Sequence, residues 1–376
     1  MSQLRILVVD DTIVYRKIVS DILSTIPGVQ VVGSANNGKV ALSRISALKP
    51  DLITLDVEMP EMNGLEVLEE LHRIAPEVGV VMLSTLTTRG SDITIRALEL
   101  GAFDFVPKPQ SGSMAENLAA VRSILVPIIQ TFQRRKDIRE RLRGMPSPPV
   151  RKTFLSGTAP APSASSTAAS DIGQRMQKLA ARRSRSEIVA IGISTGGPNA
   201  LARMMPMLPG EIGVPILIVQ HMPPIFTASL AKSLNAKCAI QVKEAEQGEI
   251  IKSNIAYIAP GGKQMKVVAA GDGKNRVIKI TDDPPENSCR PSADYLFRSV
   301  ASHYVGRATG VIMTGMGSDG SAGLREMKNS GAHIIAQDEA SCTVFGMPKE
   351  PIESGITDIV VSLNDIASAI LKTVRP

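Results

Sequence analysis

The sequence predicts an α/β protein with two doubly wound domains: an N-terminal domain of five strand–helix units and a C-terminal domain with a mainly parallel sheet. Two observations support this fold class. Short apolar runs of strand length alternate with segments of helical period in both halves of the chain, which is typical of parallel sheets covered by helices. The 376 residues, 43% of them hydrophobic, are also enough for two ordinary cores.

The domains are expected at residues 1–125 and 187–376, because the composition changes sharply between them. Arg134–Arg143 predicts a charged helical extension, and Gly144–Ser170 is rich in proline, serine, alanine and threonine, as in linkers that cannot bury a core. Residues 126–186 hold 13 lysines and arginines against three acidic residues, so this segment carries +10 and the rest of the chain −4. Because the basic charge is confined to the linker, nucleic-acid binding is only a minor hypothesis.

Two further features bear on location and redox state. The first residues lack the architecture of a signal peptide, and no apolar run approaches the roughly 18 residues that span a bilayer. We therefore expect a cytoplasmic protein that is not inserted in a membrane. The three cysteines, Cys238, Cys289 and Cys342, are scattered and odd in number, which argues against a disulfide framework or a zinc site and predicts reduced thiols.

The first domain is predicted from five strands that alternate with helices. The strands are expected at Arg5–Val9, Val29–Ser34, Leu52–Leu55, Gly79–Ser84 and Phe103–Val106, and the helices at Tyr15–Ser24, Gly38–Leu48, Gly64–Ile74 and Asp92–Leu100. In an open parallel sheet, functional groups gather beyond the carboxyl ends of the strands. The polar residues found there are Asp10, Asp11, Asp56, Ser84 and Lys108. We expect them to form one cluster.

The chemistry of this cluster indicates phosphoryl transfer. Asp10, Asp11 and Asp56 would repel one another without a counterion, and carboxylates suit a hard cation such as Mg²⁺. Lys108 adds a second positive charge. A carboxylate beside Mg²⁺ and a lysine can attack a phosphoryl donor, because both cations stabilise the charge on the phosphoryl oxygens. Solvated loop acids would account for any one of these residues but poorly for four convergent ones.

Several short motifs of the first domain occur together. They are Val9-Asp10-Asp11, Asp56-Val-Glu-Met-Pro60 with Gly64, Ser84, and Lys108-Pro109. Through them residues 4–110 resemble the receiver domain of two-component response regulators. The resemblance implies that Asp56 accepts a phosphoryl group from a histidine kinase and is also a ligand of Mg²⁺. Asp10, Asp11 and the Glu58 backbone carbonyl are the other implied ligands. Ser84 and Lys108 are implied to sense the acyl phosphate, and Phe105 matches the aromatic switch position.

The second domain is organised around Ile188–Pro198. An apolar strand, Ile188–Ile193, leads into Gly192-Ile-Ser-Thr-Gly196, a G-x-S-x-G pattern that places Ser194 at a sharp strand-to-helix turn. The glycines permit the unusual dihedral angles of such a turn and leave space beside the serine. On this stretch alone, a serine nucleophile and an ordinary Gly/Ser loop are both possible.

A nucleophilic serine needs a base, and histidine is the usual one. His221 follows the strand Val214–Gln220 and therefore lies at the same sheet edge as Ser194, which makes it the best-placed candidate. His303 lies in a helical pattern, and His333 opens a strand at the opposite edge; both remain alternatives.

The base in turn needs a carboxylate that holds its tautomer. Asp319 lies in the glycine-rich loop Gly315–Gly320, which follows the strand Thr309–Thr314, and Asp338 after the next strand is the competing candidate. Glycines allow backbone N–H groups of this loop to approach a substrate. Met316 or its neighbours are therefore candidate oxyanion donors.

The order serine, histidine, acid differs from the serine, acid, histidine order of α/β-hydrolases. The motifs that extend the comparison are Gly192-Ile-Ser-Thr-Gly-Gly-Pro198, Gln220-His-Met-Pro223, Tyr257-Ile-Ala-Pro-Gly-Gly262, Arg290-Pro-Ser-Ala-Asp294, Met313-Thr-Gly-Met-Gly-Ser-Asp-Gly320 and Ala336–Cys342 with Phe345–Pro348. Through them residues 187–372 resemble the catalytic domain of chemotaxis protein-glutamate methylesterases, the CheB family. The resemblance implies Ser194 as nucleophile, His221 as general base and then acid, and Asp319 as orienting carboxylate. It implies the Met316 backbone N–H as an oxyanion donor.

The resemblance also implies a function. The substrates would be glutamate methyl esters on methyl-accepting chemotaxis receptors, hydrolysed to glutamate and methanol, and particular receptor glutamines, deamidated by the same triad. No cofactor is implied for these reactions. We expect an unphosphorylated receiver to cover the Ser194 cleft and phosphorylation of Asp56 to shift the population away from that state. The alternative is a response regulator that binds partners without catalysis.

Overall fold

A computed structural model of the chain describes residues 3–109, 112–144 and 184–374. The predicted linker beyond residue 144 lies outside the described residues. Within them the chain forms two parallel sheets and one antiparallel pair of strands, so the predicted fold class is confirmed. In these ranges no helix is both long enough and apolar enough to cross a membrane.

The first domain has a five-stranded parallel sheet in the order β2-β1-β3-β4-β5. Its strands are β1 Leu4–Val9, β2 Val29–Ala35, β3 Leu52–Asp56, β4 Gly79–Thr85 and β5 Asp104–Lys108, and its helices are α1 Ile13–Ser24, α2 Gly38–Leu48, α3 Gly64–Ile74, α4 Thr88–Glu99 and α5 Met114–Gly144. Side chains of β1 alternate between two cores: Leu7 and Val9 pack on one face of the sheet, and Ile6 and Val8 on the other. Both faces are therefore covered by helices.

Several boundaries of the first domain differ from the predicted ones, and two of the differences have a clear local reason. Helix α4 begins at Thr88 rather than Asp92, because the Thr87 side chain accepts a hydrogen bond from the Gly90 N–H and caps the helix ahead of its apolar stripe. Strand β5 continues through Pro107 to Lys108, which is tolerated because β5 is an edge strand. Lys108 therefore ends β5 instead of following it.

Helix α5 is a single helix of 31 residues that includes the predicted charged extension. Val121, Leu125 and Ile129 bury it against the first domain. Further along, the Phe132 ring meets the Phe103 ring edge-on, with the ring centroids 5.2 Å apart. The helix thus stays packed on the first domain beyond residue 125.

The second domain has a seven-stranded parallel sheet in the order β14-β13-β12-β6-β7-β9-β8. Its strands are β6 Ile188–Ile193, β7 Ile216–Gln220, β8 Gln241–Glu244, β9 Ile255–Ile258, β12 Ala308–Ile312, β13 His333–Gln337 and β14 Ile359–Val361, beside the antiparallel pair β10 Gln264–Ala269 and β11 Arg276–Thr281. The helices are α6 Gly197–Met204, α7 Phe226–Asn235, α8 Ala293–His303, α9 Ser321–Asn329, α10 Lys349–Glu353 and α11 Ile366–Val374. Every residue of β6, β7 and β12 is buried, as expected for strands covered on both faces.

The strand order of this sheet reverses at β6, which pairs with β7 on one side and β12 on the other. In doubly wound sheets such a reversal leaves a crevice at the carboxyl ends of the strands, where ligands bind. Ser194 follows β6, His221 follows β7, and Asp319 lies in the loop after β12. The topology therefore brings these three residues to one edge.

The two domains meet through helix α4, which packs against α6 and α7. The buried hydroxyls of Ser91 and Ser229 are 2.8 Å apart across this contact. At its margin, Lys232 Nζ lies 3.1 Å from Asp92 Oδ2. Since α6 and α7 are the helices that follow Ser194 and His221, the first domain contacts the framework of the candidate site.

Candidate functional site

The cluster predicted at the edge of the first sheet forms around Lys108. Its ammonium lies 2.7 Å from Asp10 Oδ2 and 2.7 Å from Asp56 Oδ2, and both carboxylates are buried. Asp11 is exposed at the margin, with a carboxylate oxygen within 4.8 Å of those of the other two acids. The structure thus brings the predicted acids and lysine together.

The charge balance of this cluster favours an added cation. Burial raises the pKa of Asp56 to about 7; Lys108 opposes the rise, and Asp10 and Asp11 add to it. The Asp56 Oδ1 atom is buried and accepts no hydrogen bond from any described residue. A buried acceptor without a donor is unfavourable, and an oxygen-rich site of this kind suits Mg²⁺. The acidic cluster could therefore bind this ion.

The other predicted residues of the first domain are Ser84, Phe105 and Glu58. The Ser84 hydroxyl is buried and accepts a hydrogen bond of 2.7 Å from Thr94. The Phe105 ring is buried at the domain interface, with its centroid 4.5 Å from that of Phe226 in the second domain. Glu58 is exposed in the loop after β3. Phe105 therefore connects the first domain directly to helix α7.

Ser194 lies at the turn between β6 and α6. Gly196 adopts the left-handed conformation, with φ of 78°, and a Cβ added there would lie 2.4 Å from the Thr343 side chain, so only glycine fits. Gly315 approaches from the other side, where an added Cβ would be 2.8 Å from the Ser194 Cβ. The structure thus has the sharp strand-to-helix turn that the glycine pattern predicts.

His221 and Asp319 form a hydrogen-bonded pair at the same edge. His221 Nε2 lies 2.8 Å from Asp319 Oδ2. A carboxylate can only accept, so Nε2 carries the proton, and in the neutral ring Nδ1 keeps the lone pair. Among the described residues no hydrogen bond joins the Ser194 hydroxyl to this ring. Such bonds often tighten only when substrate binds.

The Asp319 carboxylate is buried at the amino-terminal end of helix α8. Besides His221, it accepts hydrogen bonds from the Ser292 hydroxyl at 2.7 Å, the Ala293 N–H at 2.6 Å and the Asn287 amide at 3.1 Å. The positive end of the helix dipole adds to this stabilisation. These donors explain how a negative charge is kept in the interior.

Hydrogen bonding shifts the pKa values of the two partners in opposite directions. Burial opposes the charged form of His221, but hydrogen bonds to Asp319 and Cys289 raise its pKa from 6.5 to about 9. Burial also opposes the charged form of Asp319, but His221, Ser292 and the Ala293 N–H lower its pKa to about 2. The pair is therefore charged at neutral pH, and the ring must lose a proton before it can act as a base.

Gln220, which the sequence analysis did not single out, joins the backbones of two candidate residues. It is 2% exposed at the end of β7, and its Nε2 donates to the carbonyls of Ser194 and His221, each at 3.1 Å. A glutamine that ends an otherwise apolar, buried strand was the available signal, because buried polar side chains usually have a partner. We infer that Gln220 fixes the spacing between nucleophile and base.

Met316, the predicted oxyanion donor, lies in the loop after β12. Its N–H meets no acceptor in the part of the chain that the structure describes, and Gly317 beside it has a φ of 84°. The Met316 side chain is 38% exposed, and its sulfur accepts a hydrogen bond of 3.0 Å from Thr131 in α5. The candidate donor is thus available to a substrate and also contacts the first domain.

The competing candidates lie elsewhere. His303 bonds to a backbone carbonyl within helix α8, and His333 begins β13, at the amino end of the sheet. Asp338 accepts hydrogen bonds from a serine of its own loop. The geometry therefore favours His221 and Asp319.

Fold and site together define a class of protein. The first domain carries the buried acid–lysine cluster of a phosphoacceptor module. The second carries a serine beside a histidine–aspartate pair at the switch point of a parallel sheet, the arrangement of a serine hydrolase. The chain is thus a two-domain protein that joins a receiver to a domain of serine-hydrolase type.

Comparison with known proteins gives the family. The family model for the CheB methylesterase matches residues 189–370, and that for the response regulator receiver domain matches residues 6–120. The chain is 56% identical over 375 residues to the protein-glutamate methylesterase/protein-glutamine glutaminase of Desulfotalea psychrophila, and the match covers 100% of both chains. It is 40% identical over 375 residues to the protein of the same name from Trichodesmium erythraeum, again with 100% of both chains covered.

A solved structure, the catalytic domain of Thermotoga maritima CheB methylesterase, is 40% identical, with 50% of this chain and 99% of that chain covered and a TM-score of 0.48. The full-length matches to the curated relatives decide the family. This chain belongs to the CheB methylesterase family, and the resemblance stated from the sequence motifs is confirmed.

We expect kcat/KM for ester hydrolysis to rise with pH through about 9. His221 can accept the serine proton only after the ring has lost its own proton, and the pKa of the ring is about 9. Asp319→Asn removes the charge that favours the imidazolium, so the rise should move to lower pH. The same change should lower kcat by roughly 10⁴-fold, the order found when the triad aspartate of a trypsin-type protease is replaced by asparagine.

Rate measurements across pH on wild type, Asp319→Asn and Asp338→Asn test this expectation. The Asp338 variant is the matched control, since its carboxylate bonds within its own loop, and it should follow the wild-type profile. An Asp319→Asn profile that coincided with that of wild type would contradict the pairing of His221 with Asp319.

Proposed function

We propose that this chain is a phosphorylation-activated serine hydrolase that removes methyl esters from glutamates of methyl-accepting chemotaxis receptors and deamidates particular receptor glutamines. The proposal rests on one observation. The hydrogen-bonded pair His221–Asp319 lies at the sheet edge where β6 ends and Ser194 follows. The reaction class is supported by the full-length relatives, which are named protein-glutamate methylesterase/protein-glutamine glutaminase.

In the proposed reaction, His221 Nδ1 takes the proton of the Ser194 hydroxyl while the serine oxygen attacks the ester carbonyl carbon. The Met316 N–H stabilises the negative charge that forms on the carbonyl oxygen. When the intermediate collapses, the bond to the methoxy oxygen breaks, and methanol leaves with the proton from the imidazolium. A water deprotonated by the same nitrogen then hydrolyses the acyl-enzyme to free serine and glutamate. Asp319 holds the Nε2 proton throughout.

A glutamine side chain follows the same route. Its leaving group is ammonia instead of methanol, and the acyl-enzyme that results is identical, so no further catalytic group is needed. We propose no cofactor for either reaction.

For the first domain, we propose that Asp56 accepts a phosphoryl group from a chemotaxis histidine kinase. Mg²⁺ would be held by Asp10, Asp11, Asp56 and the Glu58 backbone carbonyl, and when bound it neutralises charge on the phosphoryl oxygens. The buried Asp56 Oδ1, which lacks a donor among the described residues, supports this assignment.

Ser84 and Lys108 are proposed to contact the acyl phosphate once it has formed. Lys108 would then exchange part of its contact with the two aspartates for the phosphoryl oxygens. In this proposal residues 1–125 form the receiver, 126–186 the helical extension and linker, and 187–376 the methylesterase domain.

The unphosphorylated receiver is proposed to restrain the catalytic domain. Three contacts support this proposal because each reaches a segment beside a catalytic candidate: they join Asp104 to Thr195 at 2.7 Å, Phe105 to Phe226, and Thr131 to Met316. Strand β5 begins with Asp104 and Phe105 and ends with Lys108. A change at Lys108 would therefore be transmitted to the interface along one strand, and phosphorylation would shift the population away from the docked state.

Methanol release from methylated receptor membranes tests the catalytic proposal. Wild type should release methanol, and a small phosphodonor with Mg²⁺ should increase the rate. Ser194→Ala should reduce release to background because it removes the nucleophile. Ser302→Ala, on the exposed face of α8, is the matched control and should behave as wild type. Equal release by wild type and Ser194→Ala would favour the non-catalytic regulator instead.

Widening the domain interface should release the proposed restraint. Ser229 is buried opposite Ser91 with the hydroxyls 2.8 Å apart, so Ser229→Trp cannot be accommodated while α4 stays docked. We expect its unphosphorylated activity to rise toward the phosphorylated wild-type level, and stimulation by the phosphodonor to shrink accordingly. Ser302→Trp on the exposed face of α8 should keep the wild-type response. An unphosphorylated Ser229→Trp protein as slow as wild type would argue against the restraint.

A further inference from the structure

The Cys289 thiol lies beside His221, the candidate general base. Its Sγ is 3.6 Å from His221 Nδ1, the ring nitrogen on the far side from the Asp319 contact. The thiol is partly exposed and forms no disulfide. The cysteine spacing, which argues against a zinc site, does not predict this pair, because 68 residues separate the two side chains.

The position of this thiol is fixed by a tight turn. Glu286 and Cys289 exchange both backbone hydrogen bonds, and the two residues between them have positive φ values of 50° and 62°, as in a type I′ turn. Asn287, the first of these two residues, also donates from its side chain to Asp319 at 3.1 Å and to Asp294 at 2.8 Å. The turn is therefore tied to the carboxylate that orients His221.

The distance between sulfur and nitrogen matches that of two ligands on one metal ion. With Zn–S near 2.3 Å, Zn–N near 2.0–2.1 Å and a tetrahedral angle, the two ligand atoms stand about 3.5 Å apart. The observed separation is 3.6 Å.

The surroundings of the ring are also those of a zinc ligand. Metal-bound histidines usually donate their other N–H to a carboxylate, which fixes the tautomer that leaves the ligating nitrogen unprotonated. Asp319 accepts from His221 Nε2 in this way and has an oxygen within 4.8 Å of the other two ligand atoms.

We propose that Cys289 Sγ and His221 Nδ1 form an inhibitory site for Zn²⁺, with water completing the coordination. Thiolate and imidazole together select a borderline-soft cation, whereas the oxygen-only cluster around Asp56 selects Mg²⁺. The chain thus offers chemically distinct sites to the two ions.

Zinc at this site blocks the proposed hydrolysis. The ion takes the Nδ1 lone pair that would accept the Ser194 proton, so the general base is lost while zinc stays bound. Binding releases the thiol proton and any proton on Nδ1. Chelation of the ion restores both groups, so the inhibition is reversible. This consequence depends on the proposed hydrolase function, but the metal binding itself does not.

Binding is tested without any turnover by titrating the full chain with Co²⁺ in excess Mg²⁺. We expect a thiolate-to-cobalt charge-transfer band in the near ultraviolet, abolished by added Zn²⁺. Cys238→Ala, the matched control at a free cysteine that follows α7, should keep the band. Cys289→Ala and Cys289→Ser should both lose the band. Two different replacements are used so that the result does not depend on the folding of either variant alone. A band of undiminished strength in the Cys289 variants overturns the proposal.

Inhibition is tested on ester hydrolysis, with each protein compared with its own zinc-free rate. Zinc should inhibit wild type and Cys238→Ala, and a chelator should restore the rate. The zinc concentration for half inhibition should rise at least about tenfold in Cys289→Ala, since even outer-shell changes weaken metal sites by that much. Equal half-inhibition in wild type and Cys289→Ala overturns the proposed site. If no preparation hydrolyses the ester, the function fails and the cobalt band alone decides the site.

Discussion

The organisation of the second domain depends on one buried carboxylate. Asp319 is 2% exposed, and an unpaired charge at that depth would be strongly unfavourable. Its donors come from separate elements: the start of α8 supplies an N–H and the Ser292 hydroxyl, and the end of β7 supplies His221. Because every donor must reach the same two oxygens, the carboxylate sets the relative positions of β7, α8 and the loop after β12. The orientation of the His221 ring follows from that constraint.

In the first domain, the pKa of a buried carboxylate shifts in the opposite direction. Burial and the neighbouring acids raise the pKa of Asp56 to about 7 against the effect of Lys108, whereas the hydrogen-bond partners of Asp319 lower its pKa to about 2. The difference lies in the donors. Asp319 has several of its own, while Asp56 shares the single ammonium of Lys108 with Asp10 and leaves one oxygen without a donor among the described residues. A carboxylate with ample donors orients a neighbour, and one with too few is suited to accept a cation or a phosphoryl group.

The sequence was informative where the determining signal is local. Apolar runs and the residues that end them are local features, so the fold class, and the sheet edge shared by Ser194 and His221, could be predicted. The role of Gln220 could not be predicted, because its acceptors are backbone carbonyls. Every residue has such a carbonyl, so residue types do not reveal which ones accept. The contact between Cys289 and His221 could not be predicted for another reason. It depends on a two-residue turn and on the packing of segments that are distant in the sequence.

One carboxylate at the domain interface, that of Asp104, bears on how the proposed restraint would be released. Among the described residues, the Asp104 carboxylate accepts hydrogen bonds only from neutral donors, the Thr195 hydroxyl at 2.7 Å and the Phe105 N–H at 2.9 Å. Burial raises the pKa of Asp104 to about 6. The two hydrogen bonds lower the pKa of Asp104 but do not offset the effect of burial, so the ionised carboxylate is only partly compensated at this interface. Inverting a population from 1:99 to 99:1 requires about 5.5 kcal/mol. A poorly compensated carboxylate would bring the proposed docked state closer to such a shift, and Asp104 lies on the same short strand as Lys108. In the proposed mechanism, such a carboxylate would weaken docking, and weak docking would let one phosphoryl group control the site.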